Sequence, residues 1–286
     1  MSRILIAGCG DIGSGLGLRL HADGHEVWGL RRSPRKLPDG IVSLQADLTV
    51  PRTLQALPDG LDAAIYIATP DAYDDAAYEA AYVRGAENLI AALQARDANV
   101  ARLIFVSSTS VYGQSNGEWV DEESSTDAQS FSAKRLLQAE SVVLALGRPA
   151  LVVRFGGIYG AGRSRLIERV RNGRPCQETP PLYTNRIHRD DCVAVLRHLL
   201  SLPETRPVYL AVDNEPAPQC AVMDWLAARL GVPAPPRLEP GAGVDDRRPS
   251  SKRCRNDLLL ASGYRFLYPS YRDGYAAILD AGERRG

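Results

Sequence analysis

The sequence predicts an α/β fold, a doubly wound parallel sheet of Rossmann type with a smaller C-terminal lobe. Three observations carry this. Short β-branched or apolar runs alternate with longer helical patterns over the first two thirds of the chain, as crossover units require. A glycine-rich turn joins the first apolar run to the first helical pattern. Beyond Arg154 the alternation loses its regularity, which sets a smaller lobe apart.

Taken in order, the expected strands are residues 4–7, 26–30, 41–45, 63–67, 102–107 and 150–154. Between them, residues 12–22, 78–95 and 131–146 carry apolar side chains at helical spacing, with Ala, Leu, Gln and Arg supplying helix propensity. After Arg154, helices are expected over 166–172, 190–201 and 221–230, and a strand over 208–212. The domain boundary is expected near residue 170: residues 1–170 form the main domain and 171–286 the smaller lobe, with the 208–212 strand returning to the main sheet. Residues 231–249 are rich in Pro and Gly and read as an ordered loop or lobe connection.

Composition narrows the function classes. The chain has 286 residues, 45% hydrophobic and 24% charged, with 34 basic against 34 acidic side chains. Such a balance provides no global field for nucleic acid or a membrane surface, so neither is expected as a partner. No apolar run approaches the roughly 20 residues that span a bilayer. The start, Met1-Ser2-Arg3 and then Ile4 to Ala7, lacks the long apolar core of a signal peptide, so the chain is expected to be cytoplasmic. Cys9, Cys176, Cys192, Cys220 and Cys254 are scattered without a C-x-x-C pair and are expected to be reduced, packed thiols with no metal site.

The glycine turn is the first feature with chemistry. Ile4-Leu5-Ile6-Ala7 runs into Gly8-Cys9-Gly10-Asp11-Ile12-Gly13, and a helical pattern opens at once. Gly8 permits the tight turn, Gly10 lets backbone approach a pyrophosphate, and Gly13 allows close helix–strand packing. The amides at the helix start, around Asp11 and Ile12, face the phosphates. The pattern therefore predicts a dinucleotide site.

A carboxylate about 20 residues after the glycines takes the ribose hydroxyls in NAD sites. Here the second strand ends Trp28-Gly29-Leu30-Arg31-Arg32, with no carboxylate. Arg31 and Arg32 suit the 2′-phosphate of NADP, because a guanidinium matches phosphate oxygens with parallel hydrogen bonds. NADP is thus the expected cofactor and NAD the alternative; two solvated arginines at a strand end are the plainer reading. Asp47-Leu48 follows the third strand, where a carboxylate either accepts from the adenine amino group or caps a helix.

Several segments in order resemble the extended short-chain dehydrogenase/reductases, the family of nucleotide-sugar epimerases and dehydratases. Ala46-Asp47-Leu48 resembles its adenine motif, and Ile67-Ala68-Thr69 its fourth-strand end, so Ala68 is implied to lie along the cofactor. Tyr82-Val83-Arg84-Gly85-Ala86-Glu87-Asn88-Leu89 resembles its central helix, with Tyr82 where an Asn is usual. Val106-Ser107-Ser108-Thr109-Ser110-Val111-Tyr112-Gly113 is the most specific match, and it implies that Ser108 binds the reacting oxygen. Arg154-Phe155-Gly156-Gly157-Ile158-Tyr159-Gly160 resembles the sixth-strand exit, and Arg186-Ile187-His188-Arg189-Asp190-Asp191-Cys192-Val193 the motif opening a second-lobe helix. The resemblance further implies a homodimer through the helices of 78–95 and 131–146.

One departure bears on mechanism. The family carries Tyr-x-x-x-Lys on the next helix, the Lys lowering the Tyr pKa for proton transfer. Here that segment is Ser130-Phe131-Ser132-Ala133-Lys134. Lys134 remains to hold the nicotinamide ribose, but a serine hydroxyl is a far weaker acid than a phenol of pKa about 10. Ser108, Ser130 and Lys134 stay as the catalytic positions, in two alternatives. Another phenol, Tyr112, Tyr159 or Tyr73, moves the proton, or a relay through water or substrate does. His188 reads as structural in its motif; the acidic run of 118–127 reads as a solvated loop. Arg247, Arg248, Lys252, Arg253 and Arg255 either grip an anionic substrate or form a solvated surface. The ending Gly263-Tyr264-Arg265-Phe266 with Tyr268 to Tyr271 reads as packing. The expected function is an NADP-dependent oxidoreductase of epimerase/dehydratase type acting on a small polar or nucleotide-linked carbonyl or alcohol. The alternative is a non-catalytic NADP-binding redox sensor or regulatory protein.

Overall fold

The computed structural model describes residues 1–96, 100–127, 129–147, 150–238 and 250–283. In chain order the strands are β1 (Arg3–Ala7), β2 (Glu26–Arg31), β3 (Ile41–Gln45), β4 (Ala63–Tyr66), β5 (Arg102–Ser108), β6 (Glu118–Val120) and β7 (Ala150–Phe155). They continue as β8 (Gly157–Tyr159), β9 (Tyr183–Thr184), β10 (Arg186–His188), β11 (Val208–Ala211), β12 (Ala217–Pro218) and β13 (Lys252–Cys254). The helices are α1 (Asp11–Ala22), α2 (Asp75–Tyr78), α3 (Gly85–Gln94), α4 (Phe131–Leu144), α5 (Arg165–Arg171), α6 (Arg189–Ser201), α7 (Gln219–Leu230), α8 (Asp257–Ala261) and α9 (Tyr271–Glu283).

Seven strands form one parallel sheet in the order β11-β7-β5-β4-β1-β2-β3. Its strands read as apolar runs because helices cover both faces: β4 and β7 are buried at every position. The order reverses at β1, which pairs with β2 on one side and β4 on the other. Right-handed crossovers then put α1 on one face and α3 and α4 on the other. The crevice at such a reversal, beyond the carboxyl ends of the strands, is where ligands bind in open α/β sheets.

The chain forms two compact units. The first holds residues 1–111, 128–154 and 193–209; the second holds 112–127, 155–192 and 210–286. The 208–212 segment becomes β11, paired beside β7 at one end of the main sheet. In the second unit β6 pairs with β13, β8 with β10 and β9 with β12, short ribbons that leave no sequence period to read. There Asp191, fully buried, gathers the Tyr264 hydroxyl at 2.6 Å and the Leu267 and Tyr268 amides at 2.8 and 3.0 Å, which ties the C-terminal segment down.

Two expectations are corrected. The helix of 78–95 is not α-helical throughout: α2 passes without a break into a π-helical turn over Glu79–Arg84, from which α3 continues. The Gly85 amide bonds to Ala80 five residues back, and the buried Tyr66 hydroxyl donates to the Ala81 carbonyl, which widens the turn. A Cβ on Gly85 would lie 2.1 Å from that hydroxyl, so glycine makes room for it. The second correction concerns the thiols: Cys176 and Cys220 form a disulfide, with Cα atoms 5.5 Å apart, while Cys9, Cys192 and Cys254 are free and buried. Their separation of 44 residues gives no local pattern, and pairing depends on the Cα distance that the fold sets. Of residues 231–249, those from 239 on lie outside the described residues, as do Arg247 and Arg248. No helix among the described residues is long and apolar enough to cross a membrane.

Candidate functional site

The glycine turn stands where β1 ends between its two neighbours. Gly8 has φ +96°, and a Cβ there would lie 2.7 Å from the Ala68 nitrogen and the Ile67 carbonyl. Only glycine lets the end of β1 pass so close to the end of β4. The Gly8 and Cys9 amides both donate to the Leu30 carbonyl, at 3.1 and 2.8 Å, which ties the same turn to β2. At Gly13 a Cβ would meet Ile6 Cγ2 at 3.0 Å and the Gly8 oxygen at 3.2 Å, so α1 sits tight on the strand. Above Gly10 the space is open: a Cβ would have only the Gly8 oxygen as a neighbour, 4.0 Å away. Gly10, the N-cap of α1, has no side chain to accept from the first-turn amides. An open cradle at an uncapped helix start fits a pyrophosphate.

The exit of β2 differs for its two arginines. Arg31 is half-buried, and its Nε is buried without a hydrogen-bond partner. A buried guanidinium N–H without an acceptor is costly, and an anionic ligand atom would supply one. Arg32 is instead engaged, its two terminal nitrogens on the two carboxylate oxygens of Asp71. Asp47 Oδ1 accepts from the Thr49 amide at 2.8 Å and the Thr49 hydroxyl at 2.7 Å, and the Leu48 carbonyl accepts from Asn88 at 2.8 Å. Asp47 thus shapes its own turn and is not the cap of the helical turn that follows, which starts after Val50.

The three positions expected to be catalytic lie in the first unit. Ser108 ends β5, and its Oγ accepts from the Ser110 amide at 3.1 Å. One residue earlier, Ser107 Oγ donates to Glu140 Oε1 at 2.5 Å. Glu140 in turn receives Arg154 Nε at 3.1 Å and Nη2 at 2.6 Å, with both side chains about 5% exposed (4% and 6%). Buried positions of α4 recur at Ala133, Leu136, Glu140 and Val143, so this carboxylate faces inward on the apolar stripe. Ser130 is the N-cap of α4: its Oγ accepts from the Ala133 amide at 3.2 Å and lies 3.2 Å from Ser132 Oγ. Serine is among the best helix caps, which accounts for its place here on structural grounds. Lys134 follows on the exposed side of the first turn.

The three phenols differ sharply in setting. Tyr112 is fully buried. Tyr159 is buried against Tyr275 at 4.5 Å and donates to the Ser270 carbonyl at 3.4 Å, and burial pushes its hydroxyl far up in pKa. Tyr73 is 56% exposed, with its ring edge-on to Tyr78 at 5.6 Å and to Phe131 at 5.1 Å. Phe131 directly follows Ser130, so the Tyr73 ring stands at the start of α4. Arg135 holds the same region together, bidentate to Asp75 at 2.8 Å and 3.1 Å from Glu79. Sequence reasoning missed this aromatic cluster, which extends to Tyr82, because Phe131 comes from a segment remote from the three tyrosines. Burial pushes the Tyr82 hydroxyl up to about 12.

In the second unit His188 is buried, accepts from the Asp190 amide at 3.2 Å and packs on Tyr268, and burial lowers its pKa. Lys252 is buried and donates to the Tyr112 carbonyl at 3.1 Å and Ser250 Oγ at 2.8 Å. Arg253 lies over the rings of Trp119 (4.8 Å) and Tyr183 (4.9 Å), and Arg255 over Trp119 (5.0 Å). Three carboxylates of the acidic run are engaged, Glu118 on Asn116, Asp121 on Ser124 and Glu122 on the remote Leu210 amide. Arg186 Nη1, Asp213 Oδ2 and Tyr271 Oη are buried without partners.

Comparison with known proteins agrees with this geometry. A protein from Methylobacillus flagellatus, described as an NAD-dependent epimerase/dehydratase, has a similar structure: 39% identity over 99% of each chain and a TM-score of 0.81. A conserved protein of unknown function from Silicibacter pomeroyi DSS shares 26% identity over 99% of this chain and 100% of that one, with a TM-score of 0.82. The human epimerase family protein SDR39U1, solved with NADPH, has the same fold at 22% identity, covering 97% and 99% of the two chains at a TM-score of 0.79. No curated protein matches by sequence. The sequence profile of the NAD dependent epimerase/dehydratase family matches residues 4–209, which span β1 through the start of β11 and include the glycine turn, the exit of β2, Ser108, Ser130 and Lys134. The chain belongs to the NAD-dependent epimerase/dehydratase family.

Proposed function

We propose that the protein is an NADP-dependent oxidoreductase of the epimerase/dehydratase type that works without the usual tyrosine. The observation that carries the cofactor choice is the exit of β2, where Arg31 has a buried Nε without an acceptor and no carboxylate stands nearby in sequence. When bound, the nicotinamide supplies the hydride chemistry. The chain's own residues do the rest. The open turn at Gly10 and the start of α1 hold the pyrophosphate, with Ala68 beside them. Ser108 orients the substrate oxygen, and Lys134 holds the ribose. Tyr73 carries the proton: it is the exposed phenol of the three, and its ring stands beside Phe131 at the helix start from which the usual tyrosine is missing. The substrate is a small polar or nucleotide-linked carbonyl or alcohol.

A second reading has one observation in its favour. Ser130 is occupied as a helix cap, which suits a chain that keeps dinucleotide binding and has given up turnover as a redox sensor. Titration of the protein with NADPH and NADH separates the two readings when a carbonyl panel is followed at the nicotinamide absorbance. Arg31→Ala is expected to weaken NADPH about tenfold or more, the worth of a charge-assisted contact, and to leave NADH nearly unchanged. Tyr73→Phe is expected to lower turnover at least about a hundredfold at unchanged NADPH affinity, the scale of a lost general acid. Tight NADPH binding without turnover on any substrate favours the sensor. Binding of neither nucleotide sinks both.

A further inference from the structure

The ion pair between Arg32 and Asp71 does more than join two side chains. Arg32 follows β2 and Asp71 lies in the turn after β4, and these strands flank β1. Leu30 of β2 and Tyr66 of β4 both stand in register with Ala7, the last residue of β1 before the glycine turn. Neighbouring strands are about 4.8 Å apart, so the pair reaches across about 10 Å of crevice at the carboxyl end of β1. It is a fork-to-fork contact, Nη1 on Oδ2 and Nη2 on Oδ1, between side chains that remain 52% and 65% exposed. Neither charge is needed by the core. The contact is therefore placed where a dinucleotide would enter, and it is weak enough to exchange.

We propose that Asp71 is a specificity-determining residue of the cofactor site, which holds the Arg32 guanidinium until a 2′-phosphate takes it. This rests on the dinucleotide reading above. A guanidinium presents one planar fork of two N–H groups to a carboxylate or a phosphate, so the two anions compete for the same donors. Arg31, whose Nε has no partner to give up, meets a 2′-phosphate at no such cost. Arg32 must exchange one anion for another. NADPH offers that exchange; NADH, with hydroxyls alone at the ribose, leaves Arg32 on Asp71. The carboxylate thus sets how much of the Arg32 interaction appears as NADP preference.

Calorimetric titration of the full chain with NADPH and NADH tests this, on the wild type, Asp71→Asn, Arg32→Ala and the double variant. Asp71→Asn is expected to tighten NADPH about threefold to fivefold, the worth of an exposed ion pair, with NADH unchanged. Arg32→Ala is expected to weaken NADPH, and in that background Asp71→Asn is expected to have no further effect. Tightening of both nucleotides alike, or an undiminished effect in the Arg32→Ala background, would mean that Asp71 acts as a mere negative charge, and would overturn the proposal. NADPH binding that Asp71→Asn does not alter overturns the role of Asp71 and leaves the cofactor reading standing. A wild type that binds neither nucleotide removes both. Thermal melts of the four proteins check that these exposed substitutions leave the fold intact.

Discussion

Glu140→Ala is expected to lower the unfolding free energy by about 3–5 kcal/mol, the cost of leaving a buried charge without its partner. Arg154 would keep its guanidinium in the core beside β7 with the Glu140 carboxylate gone, and Ser107 would lose the acceptor of its 2.5 Å bond. For a chain of this size the melting temperature should fall on the order of 10 °C. Replacing both members by apolar residues, Glu140→Leu with Arg154→Met, should recover much of the loss, because the pair's own desolvation cost disappears with it. The double variant separates charge stranding from packing. A functional loss is expected as well: Ser107 precedes Ser108, so loosening the strand end should lower turnover more than it weakens NADPH. Thermal and urea unfolding of the single and double variants check the first part, and kcat against nucleotide affinity the second. A single variant within about 1 kcal/mol of the wild type would show that water reaches Arg154 and that the pair contributes little.

Asp191→Ala is expected to be of similar size, about 3–5 kcal/mol, for a different reason. Its carboxylate accepts from the Tyr264 hydroxyl and from the Leu267 and Tyr268 amides, and it is fully buried. Removal orphans the two amides, each at about 1–3 kcal/mol, and leaves the Tyr264 hydroxyl to the Asp191 carbonyl at 3.4 Å, with partial relief as water enters. Asp191→Asn should recover only part of this. An amide keeps one acceptor oxygen, while Tyr268 donates to one carboxylate oxygen and Tyr264 and Leu267 to the other, so one donor meets an N–H. Hydrogen exchange should localise the damage to residues 264–268. Uniform exchange across the second unit, or a loss below about 1 kcal/mol, would contradict the anchoring role.

How far the sequence could be read depended on how local each signal is. All seven strands of the main sheet lie within about one residue of their expected ranges, because apolar runs between helical patterns are a short-range code. The glycine turn was legible down to the role of each glycine, since a tight turn, an open approach and a close helix–strand contact each exclude a side chain. Ser108 could be placed at the end of β5 from its segment alone. Ser130 also follows a local rule: serine just before a helical run is among the best caps, and its Oγ accepts from the Ala133 amide. The β6, β8–β10, β12 and β13 ribbons stayed hidden because two or three residues carry no period.

Local sequence by itself determined the sheet-and-helix alternation, the dinucleotide turn and the absence of an acidic residue at the end of β2. These follow from periodicity, glycine stereochemistry and charge along a few consecutive residues, with no need to know what they touch. Tertiary structure alone decided the partners. It set Arg32 on Asp71 from 39 residues away, turned Glu140 inward to Arg154 and Ser107, and widened the central helix around the Tyr66 hydroxyl. It also brought Cys176 and Cys220 together and gathered Tyr73, Tyr78 and Phe131 at one helix start. Charges, thiols and rings act over a few ångströms, and distances of that size between remote segments exist only once the strands have paired and the helices have packed on them.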